Sequence, residues 1–164
     1  MYADTVKKNV MRLFLLASVI TTDTGTANTC WKQVSDAQRK VTAGSPDDKL
    51  SKYLCVYFKN PLTIKRAVVI MKLETDFKNV ISGDDYGFFQ FHQATIDHYG
   101  LDKNYLMENW FYQFHSFERI MKDKIAMCST REVPEACWHS ATPQHYSRYK
   151  EKYKQVVEQL EGIL

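Results

Sequence analysis

Apolar side chains recur every three or four positions along most of the chain, which is the period of an α-helix. The longest such pattern runs from residue 104 to residue 127 and predicts one amphipathic core helix, with apolar positions at Leu106, Trp110, Phe114, Phe117, Met121 and Ile125. The last helix, after Thr142-Pro143, carries a similar apolar face at Tyr146, Tyr149, Tyr153, Val156, Val157 and Leu160. Further helices are predicted over residues 35–42, 49–58, 62–77 and 93–99.

Turn-forming residues separate these helices. Ser45 is predicted to cap the helix that follows, with Pro46 at its first helical position. Asn60-Pro61 ends that helix, and Gly100 ends the helix over residues 93–99. Residues 78–91 are rich in turn formers and predict at most a small hairpin. The expected fold class is therefore mainly α, with a minimal β element.

Glu74 lies near the end of the predicted helix over residues 62–77. Three apolar residues share its helical face, at Ala67, Ile70 and Met71. Burial on that face would raise the pKa of the carboxyl group, so that Glu74 keeps a proton near neutral pH and can donate it. The alternative is a half-exposed glutamate that pairs with Lys72 or Lys78.

A second motif, DYGFFQF, spans residues 85–91. Gly87 stands between aromatic residues, which favours a sharp turn or a close approach of the backbone to a ligand. Gln90 carries an amide that can bind a carboxyl group or a sugar. The segment is predicted to cross a cleft and return close to Glu74, although its spacing also fits a hairpin turn before a buried strand or helix.

Three short motifs in this order resemble the lysozyme-like superfamily. The closest resemblance is to small exported lytic transglycosylases of the SLT type, including those that serve conjugation and type III or IV secretion. ETDF, from Glu74, is similar to the family's E-S-x-F, and GFFQ, from Gly87, is similar to G-L-M-Q. WHSATP, from Trp138, resembles a Tyr-His-Ser-x-Thr-Pro variant. The resemblance covers about residues 30–153.

This resemblance implies a two-lobed lysozyme-like domain over residues 28–164 that cleaves peptidoglycan strands between muramic acid and glucosamine, leaving an anhydromuramic product. It implies that Glu74 is catalytic, that no cofactor or metal is needed, and that components of a secretion machine are partners. The substrate-binding residues it implies are Thr75, Gly87, Gln90, Trp138 and His139. Thr75 replaces the family's serine and keeps a hydroxyl, whereas Trp138 replaces a tyrosine whose hydroxyl bonds the catalytic carboxyl group.

Two other functions stay open at this point. Asp85-Tyr86-Gly87 also resembles the Asp-Tyr-Gly of animal c-type lysozymes, whose aspartate is the second catalytic carboxylate. Asp85 would then make the protein a hydrolase of the same bond. A non-catalytic module that binds the cell wall or belongs to a secretion apparatus is the third reading, and the tryptophan at position 138 is its best support.

Length and composition narrow the class of protein. A chain of 164 residues with 45% hydrophobic and 25% charged residues fits one globular domain. The net charge of +3 is compatible with an acidic cell-wall polymer as partner. Lysine and arginine form no stripe interleaved with aromatic residues, so nucleic acid is not an expected partner.

The four cysteines, Cys30, Cys55, Cys128 and Cys137, lack the spacing of a metal site. Their even number fits two disulfides in an oxidising compartment, for which three pairings exist. Cys128 and Cys137 flank a short turn-like stretch, and a bridge there would leave Cys30 with Cys55. The alternative is four buried thiols in a cytosolic protein.

The N-terminal segment resembles a signal peptide. Lys7, Lys8 and Arg12 precede an apolar run at residues 13–20, and residues 25–27 form a G-x-A cleavage site. We therefore expect a leader over residues 1–27 and an exported, periplasmic or extracellular protein. The apolar run is too short to span a bilayer. The alternative is an ordinary first helix of the fold.

Overall fold

A computed structural model describes residues 24–140 and 142–164 of the protein. This part of the chain contains seven α-helices, one 3₁₀ helix and a three-stranded antiparallel sheet. The α-helices are α1 Thr24–Val41, α2 Asp48–Tyr57, α3 Pro61–Thr75, α4 Gln93–Tyr99, α5 Lys103–Glu108, α6 Trp110–Met127 and α7 Pro143–Gln159. The strands are β1 Ile81–Ser82, β2 Asp85–Tyr86 and β3 Phe91–His92, and the 3₁₀ helix is Pro134–Trp138. The expected fold class, mainly α with a minimal β element, is confirmed.

Helix α3 forms the centre of the core. Five successive residues of α3 are fully buried, namely Ala67, Val68, Val69, Ile70 and Met71. A helix that is apolar on every side needs neighbours all round, and α3 packs against α1 and α7. Its last turn therefore lies deep in the molecule.

The α1–α2 pair differs from the sequence prediction at two points. Helix α1 begins at Thr24 and is much longer than residues 35–42. Asp47, and not Ser45, caps α2, because its side chain accepts a hydrogen bond from Leu50 N at 2.9 Å. The buried side chain of Gln38 holds the cap in place, since its Oε1 accepts a hydrogen bond from Asp47 N at 2.8 Å.

The single helix predicted over residues 104–127 is wrong, because Asn109 divides it into α5 and α6. The Asn109 side chain accepts a hydrogen bond from Tyr112 N at 3.0 Å and so caps α6. Asparagine competes for backbone groups in this way, which favours a helix start over a helix interior. The apolar stripe nevertheless continues across the break, since Leu106, Phe114 and Phe117 are all fully buried.

The small sheet connects α3 to α4. Strand β2 pairs with β1 and β3, and Asp85 lies opposite both Ser82 and His92. Gly83 forms the turn between β1 and β2 with a φ of 62°, a conformation that glycine adopts without steric cost. The predicted turn-rich segment thus becomes a minimal sheet that presents Asp85.

Two disulfides are present, as the even number of cysteines suggested, and the structure decides their pairing. Cys30 is bonded to Cys55 with an S–S distance of 2.07 Å, and Cys128 is bonded to Cys137 at 2.01 Å. The alternative of four buried thiols is therefore wrong. Two disulfides are compatible with an exported protein.

The predicted leader extends mostly outside the described residues, which begin at residue 24. The residues of its proposed cleavage site, 25–27, belong to the first turns of α1.

None of the helices in the described part of the chain has the length and apolar character needed to cross a membrane.

Candidate active site

Glu74 occupies the last turn of α3, where the helix ends at Asp76. The backbone of Asp76 is left-handed, with a φ of 52°, and its side chain pairs with Lys72 at 2.6 Å. Lys72 is thus engaged by Asp76 and does not pair with Glu74. The Glu74 side chain is 12% exposed, so it is largely buried, in agreement with its apolar helical face.

Burial is the main cause of the altered acidity of Glu74. All the effects together raise the pKa of the carboxyl group from 4.5 to about 7, and burial is the largest of them. A hydrogen bond from the Tyr149 hydroxyl opposes this rise, whereas the negative charge of Asp85 adds to it. A carboxyl group with this pKa is partly protonated at neutral pH, so it can both donate and accept a proton.

Tyr149 is the side chain that orients Glu74. Its hydroxyl donates a hydrogen bond to Glu74 Oε1 at 2.6 Å, from a buried position on α7. Burial and the nearby Glu74 raise the pKa of Tyr149 well above its usual value, so it remains a donor. The sequence placed Tyr149 only on an apolar helical face. Nothing in that pattern distinguishes it from Tyr146 or Tyr153, which share the face.

Trp138, the last residue of the 3₁₀ helix, and His139, which follows it, form one wall of the site. Trp138 Nε1 donates a hydrogen bond to Phe89 O at 3.0 Å, so this side chain supports the loop before β3. His139 Nδ1 lies 4.0 Å from Glu74 Oε1, and the imidazole stacks on the Tyr149 ring at 5.0 Å. Burial, with His145 nearby, lowers the pKa of His139 and favours its neutral form.

Gly87 is required because the backbone approaches a buried protein side chain. Its φ is 81°, and a Cβ atom there would lie 2.4 Å from Gln113 Oε1. The same Gln113 oxygen accepts a hydrogen bond from Phe88 N at 2.9 Å, and Gln113 Nε2 donates to Asn79 at 2.8 Å. The sequence had suggested a turn or an approach to a ligand, and the neighbour found here is Gln113.

Thr75 and Gln90 hold the loop over residues 87–90 through its backbone. Thr75 Oγ1 lies 3.0 Å from Phe88 O, within hydrogen-bond distance. Gln90 Nε2 donates to Gly87 O at 2.8 Å and lies 3.2 Å from Val80 O. Thr75 and Gly87 therefore shape the loop without lining the cleft, whereas Gln90 does both.

A cleft brings the catalytic candidates together. Asp85, Gln90, Trp138 and His139 all line it with Glu74. Its other lining residues are Phe91, His92, Thr95, Ile120 and Lys124. No sequence pattern pointed to Lys124 as a lining residue, since lysines on an amphipathic helix usually face solvent.

A second hollow adjoins the cleft on the α7 side and shares Glu74 and His139 with it. Its charged residues include Arg148 and Lys152, both from α7. Within the described residues, no group of three or more histidine, cysteine, aspartate or glutamate side chains is arranged to hold a metal ion.

The cleft therefore contains a largely buried acid, Glu74, to which Tyr149 donates a hydrogen bond. A second acidic side chain, Asp85, lines the same cleft. No protein-family model, curated protein or solved structure significantly matches this chain.

Proposed function

We propose that the protein is a lytic transglycosylase of the lysozyme-like superfamily that cleaves peptidoglycan between muramic acid and glucosamine. The observation that carries this proposal is the state of Glu74, a buried carboxyl group in a cleft with a pKa of about 7. An acid of this pKa suits a reaction in which one group donates a proton and later accepts one.

The proposed reaction uses Glu74 twice. Protonated Glu74 donates its proton to the glycosidic oxygen, and the bond between that oxygen and the anomeric carbon of muramic acid breaks. The carboxylate then removes a proton from a hydroxyl of the same sugar, whose oxygen bonds the anomeric carbon and closes the anhydro ring. Tyr149 stabilises the carboxylate between the two steps through its hydrogen bond of 2.6 Å.

The pH dependence of the reaction follows from the protonation state that Glu74 needs in the first step. Proton donation requires the protonated carboxyl group, and its fraction falls as the pH rises through about 7. We expect kcat/KM to decline above that pH. Initial rates measured from pH 4 to pH 9 would test this, and an optimum in the alkaline range with no decline would contradict the role of Glu74 as acid.

A hydrolase of the lysozyme type is the second candidate, and the position of Asp85 favours it. Asp85 lines the same cleft and its charge raises the pKa of Glu74. In retaining glycosidases the two carboxyl groups are about 5–5.5 Å apart and the second one stabilises or attacks the sugar. Water then completes the reaction and leaves a reducing sugar.

Digestion of purified sacculi, with the products identified by mass spectrometry, separates these functions. Anhydromuramic products that disappear in Glu74→Gln and persist in Asp85→Asn would support the transglycosylase. Reducing-end products that disappear in both variants would support the hydrolase. Binding of sacculi without turnover across the whole pH range would favour the non-catalytic module. Full activity of Glu74→Gln would contradict both enzymatic proposals.

We also propose that the protein acts outside the cytoplasm, where peptidoglycan is found. Its two disulfides support this location. Cleavage of the leader after Ala27 would leave Cys30 near the new N-terminus. The intact mass of the protein recovered from a periplasmic or culture fraction would test this cleavage. Components of a secretion machine remain the proposed protein partners.

A further inference from the structure

Lys124 places an ammonium group on the wall of the cleft that contains Glu74 and Asp85. It lies in the last turn of α6, and its side chain is partly buried next to the apolar residues Ile120 and Phe91. None of the ion pairs among the described residues includes it. Lys124 is therefore a cation on the cleft wall that has no ion-pair partner among the described residues.

The environment of Lys124 disfavours its charge. Burial lowers its pKa, and no charged side chain of the described residues contributes to that change. A partly desolvated ammonium group without an anion nearby is costly, and an anionic ligand removes that cost. Lys72 and Lys150 differ in this respect, since they are paired with Asp76 and Glu132.

Lys124 is also electrostatically separate from the catalytic acid. The groups that shift the pKa of Glu74 are Tyr149, Asp85 and Lys152, and Lys124 is not among them. Replacement of Lys124 should therefore leave the pKa of Glu74 unchanged, and its effect should fall on substrate binding.

We infer that Lys124 binds a carboxylate of the substrate and makes the cleft selective for glycans that carry one. The inference rests on the proposed function, because it concerns the ligand of the same cleft. Two sources supply the carboxylate in peptidoglycan. One is the lactyl group of muramic acid in strands without peptides. The other is the peptide stem, which is joined to the lactyl carboxyl group by an amide bond and then supplies carboxylates of its own.

Binding measured in the Glu74→Gln background tests the inference without turnover. The probes are three tetrasaccharides: neutral chitotetraose, a peptide-free strand of alternating glucosamine and muramic acid, and the same strand with its peptides. Calorimetry would compare Glu74→Gln alone with double variants that add Lys124→Met, Lys124→Arg or Lys122→Met. Lys122 is the matched control, because it is exposed on the same helix and lies outside the cleft.

We expect a muramic-acid strand to bind about tenfold more tightly than chitotetraose, as a hydrogen bond to a charged group allows. Lys124→Met should remove this preference, whereas Lys124→Arg and Lys122→Met should keep it. A preference seen with the peptide-free strand identifies the lactyl carboxylate. A preference confined to the peptide-bearing strand identifies the stem. With Glu74 intact, Lys124→Met should raise KM and leave both kcat and the pH of the alkaline decline unchanged.

Equal affinity for chitotetraose and both muramic-acid strands would overturn the inference and leave the proposed function standing. A preference that survives in a folded Lys124→Met variant would also overturn it and would mean that Lys124 only covers the apolar wall. Failure of all three glycans to bind would contradict the proposed function, and the inference would fall with it.

Discussion

At the scale of single residues, the acidity of Glu74 results from opposing effects. Burial raises its pKa, the Tyr149 hydrogen bond lowers it, and Asp85 raises it again. Burial is the largest of these effects, so the carboxyl group remains partly protonated near pH 7 even though a strong donor contacts it. The ionised form of Glu74 is therefore destabilised, so the carboxyl group keeps a proton that it can donate in the cleft.

We expect this arrangement to cost stability at high pH. The folded-state pKa of Glu74 is raised, so its contribution to stability is fully present below about pH 4.5 and is lost as the pH rises through about 7. The loss is on the order of 3 kcal/mol. Glu74→Gln does not titrate, so its stability relative to the wild type should increase by about this amount between pH 4 and pH 8.5. Urea unfolding of both proteins at the two pH values measures the difference, and a constant difference would contradict the raised pKa.

Tyr149→Phe should move the alkaline decline of activity to higher pH. The variant removes the hydrogen bond that stabilises the Glu74 carboxylate, so the carboxyl group keeps its proton longer. Hydrogen bonds to charged groups are worth enough to shift the decline by about one pH unit or more. The pH profile of kcat/KM is the measurement.

Tyr146→Phe is the matched control for this experiment. Tyr146 is also buried on α7, but its hydroxyl accepts a hydrogen bond from Val133 N and does not contact Glu74. Its pH profile should match the wild type. An identical shift in both variants would mean that the loss of a buried hydroxyl, and not its contact with Glu74, causes the effect.

At the scale of elements, the loop over residues 87–90 is held on several sides. Gln113 of α6 binds the Phe88 amide, Thr75 of α3 contacts the Phe88 carbonyl, and Trp138 donates to the Phe89 carbonyl. The loop in turn connects β2, which carries Asp85, with β3, which carries His92. Three separate elements thus determine where Asp85 stands relative to Glu74.

Gly87→Ala should destabilise the protein by about 2–3 kcal/mol, because it combines a left-handed backbone with a steric conflict. Its Cβ would lie 2.4 Å from Gln113 Oε1 and would disrupt the Gln113 hydrogen bonds. Gly83→Ala is the control, since it has a similar φ of 62° and no atom within 4 Å of the added Cβ. It should cost about 1 kcal/mol. Urea unfolding of the two variants would decide, and equal losses would show that the conflict with Gln113 is relieved without cost.

At the scale of the whole molecule, the two disulfides act in different regions. Cys30–Cys55 joins α1 to α2, whereas Cys128–Cys137 joins the end of α6 to the 3₁₀ helix that precedes His139. Arg66 of α3 also holds this 3₁₀ helix, through a contact of 2.7 Å with Glu135. The wall formed by Trp138 and His139 is thus attached to both α6 and the helix of Glu74.

Removal of Cys30–Cys55 should therefore have the larger effect on stability, whereas removal of Cys128–Cys137 should have the larger effect on activity. The longer loop closed by Cys30–Cys55, with a separation of 25 residues against 9, should lose more stability. The chain-entropy relation gives about 3.5 and about 2.5 kcal/mol for the two bridges. Activity should fall several-fold in Cys128→Ala/Cys137→Ala and stay near the wild-type value in Cys30→Ala/Cys55→Ala. Unfolding curves and sacculus digestion measure the two effects, and a loss of activity that follows the loss of stability would contradict a specific role for the bridge beside the cleft.

The sequence by itself determined the features that depend on local patterns. Helical periodicity predicted most of the helices and placed Glu74 on the buried face of α3. The short spacing of Cys128 and Cys137 made a bridge between them plausible, although all three pairings stayed open, and the structure contains that bridge. These predictions succeed because a period of 3.6 residues and a short loop are properties of neighbouring residues alone.

Only the tertiary structure decided which side chains meet at the site. The contact of Tyr149 with Glu74 depends on how α7 packs against α3, and three tyrosines of that face look alike in the sequence. The same holds for Lys124, which reaches the cleft because α6 lies beside it. It also holds for position 87, where only glycine fits because Gln113 of α6 lies so close. Such contacts join residues that are distant along the chain, so no local pattern of polar and apolar positions encodes them.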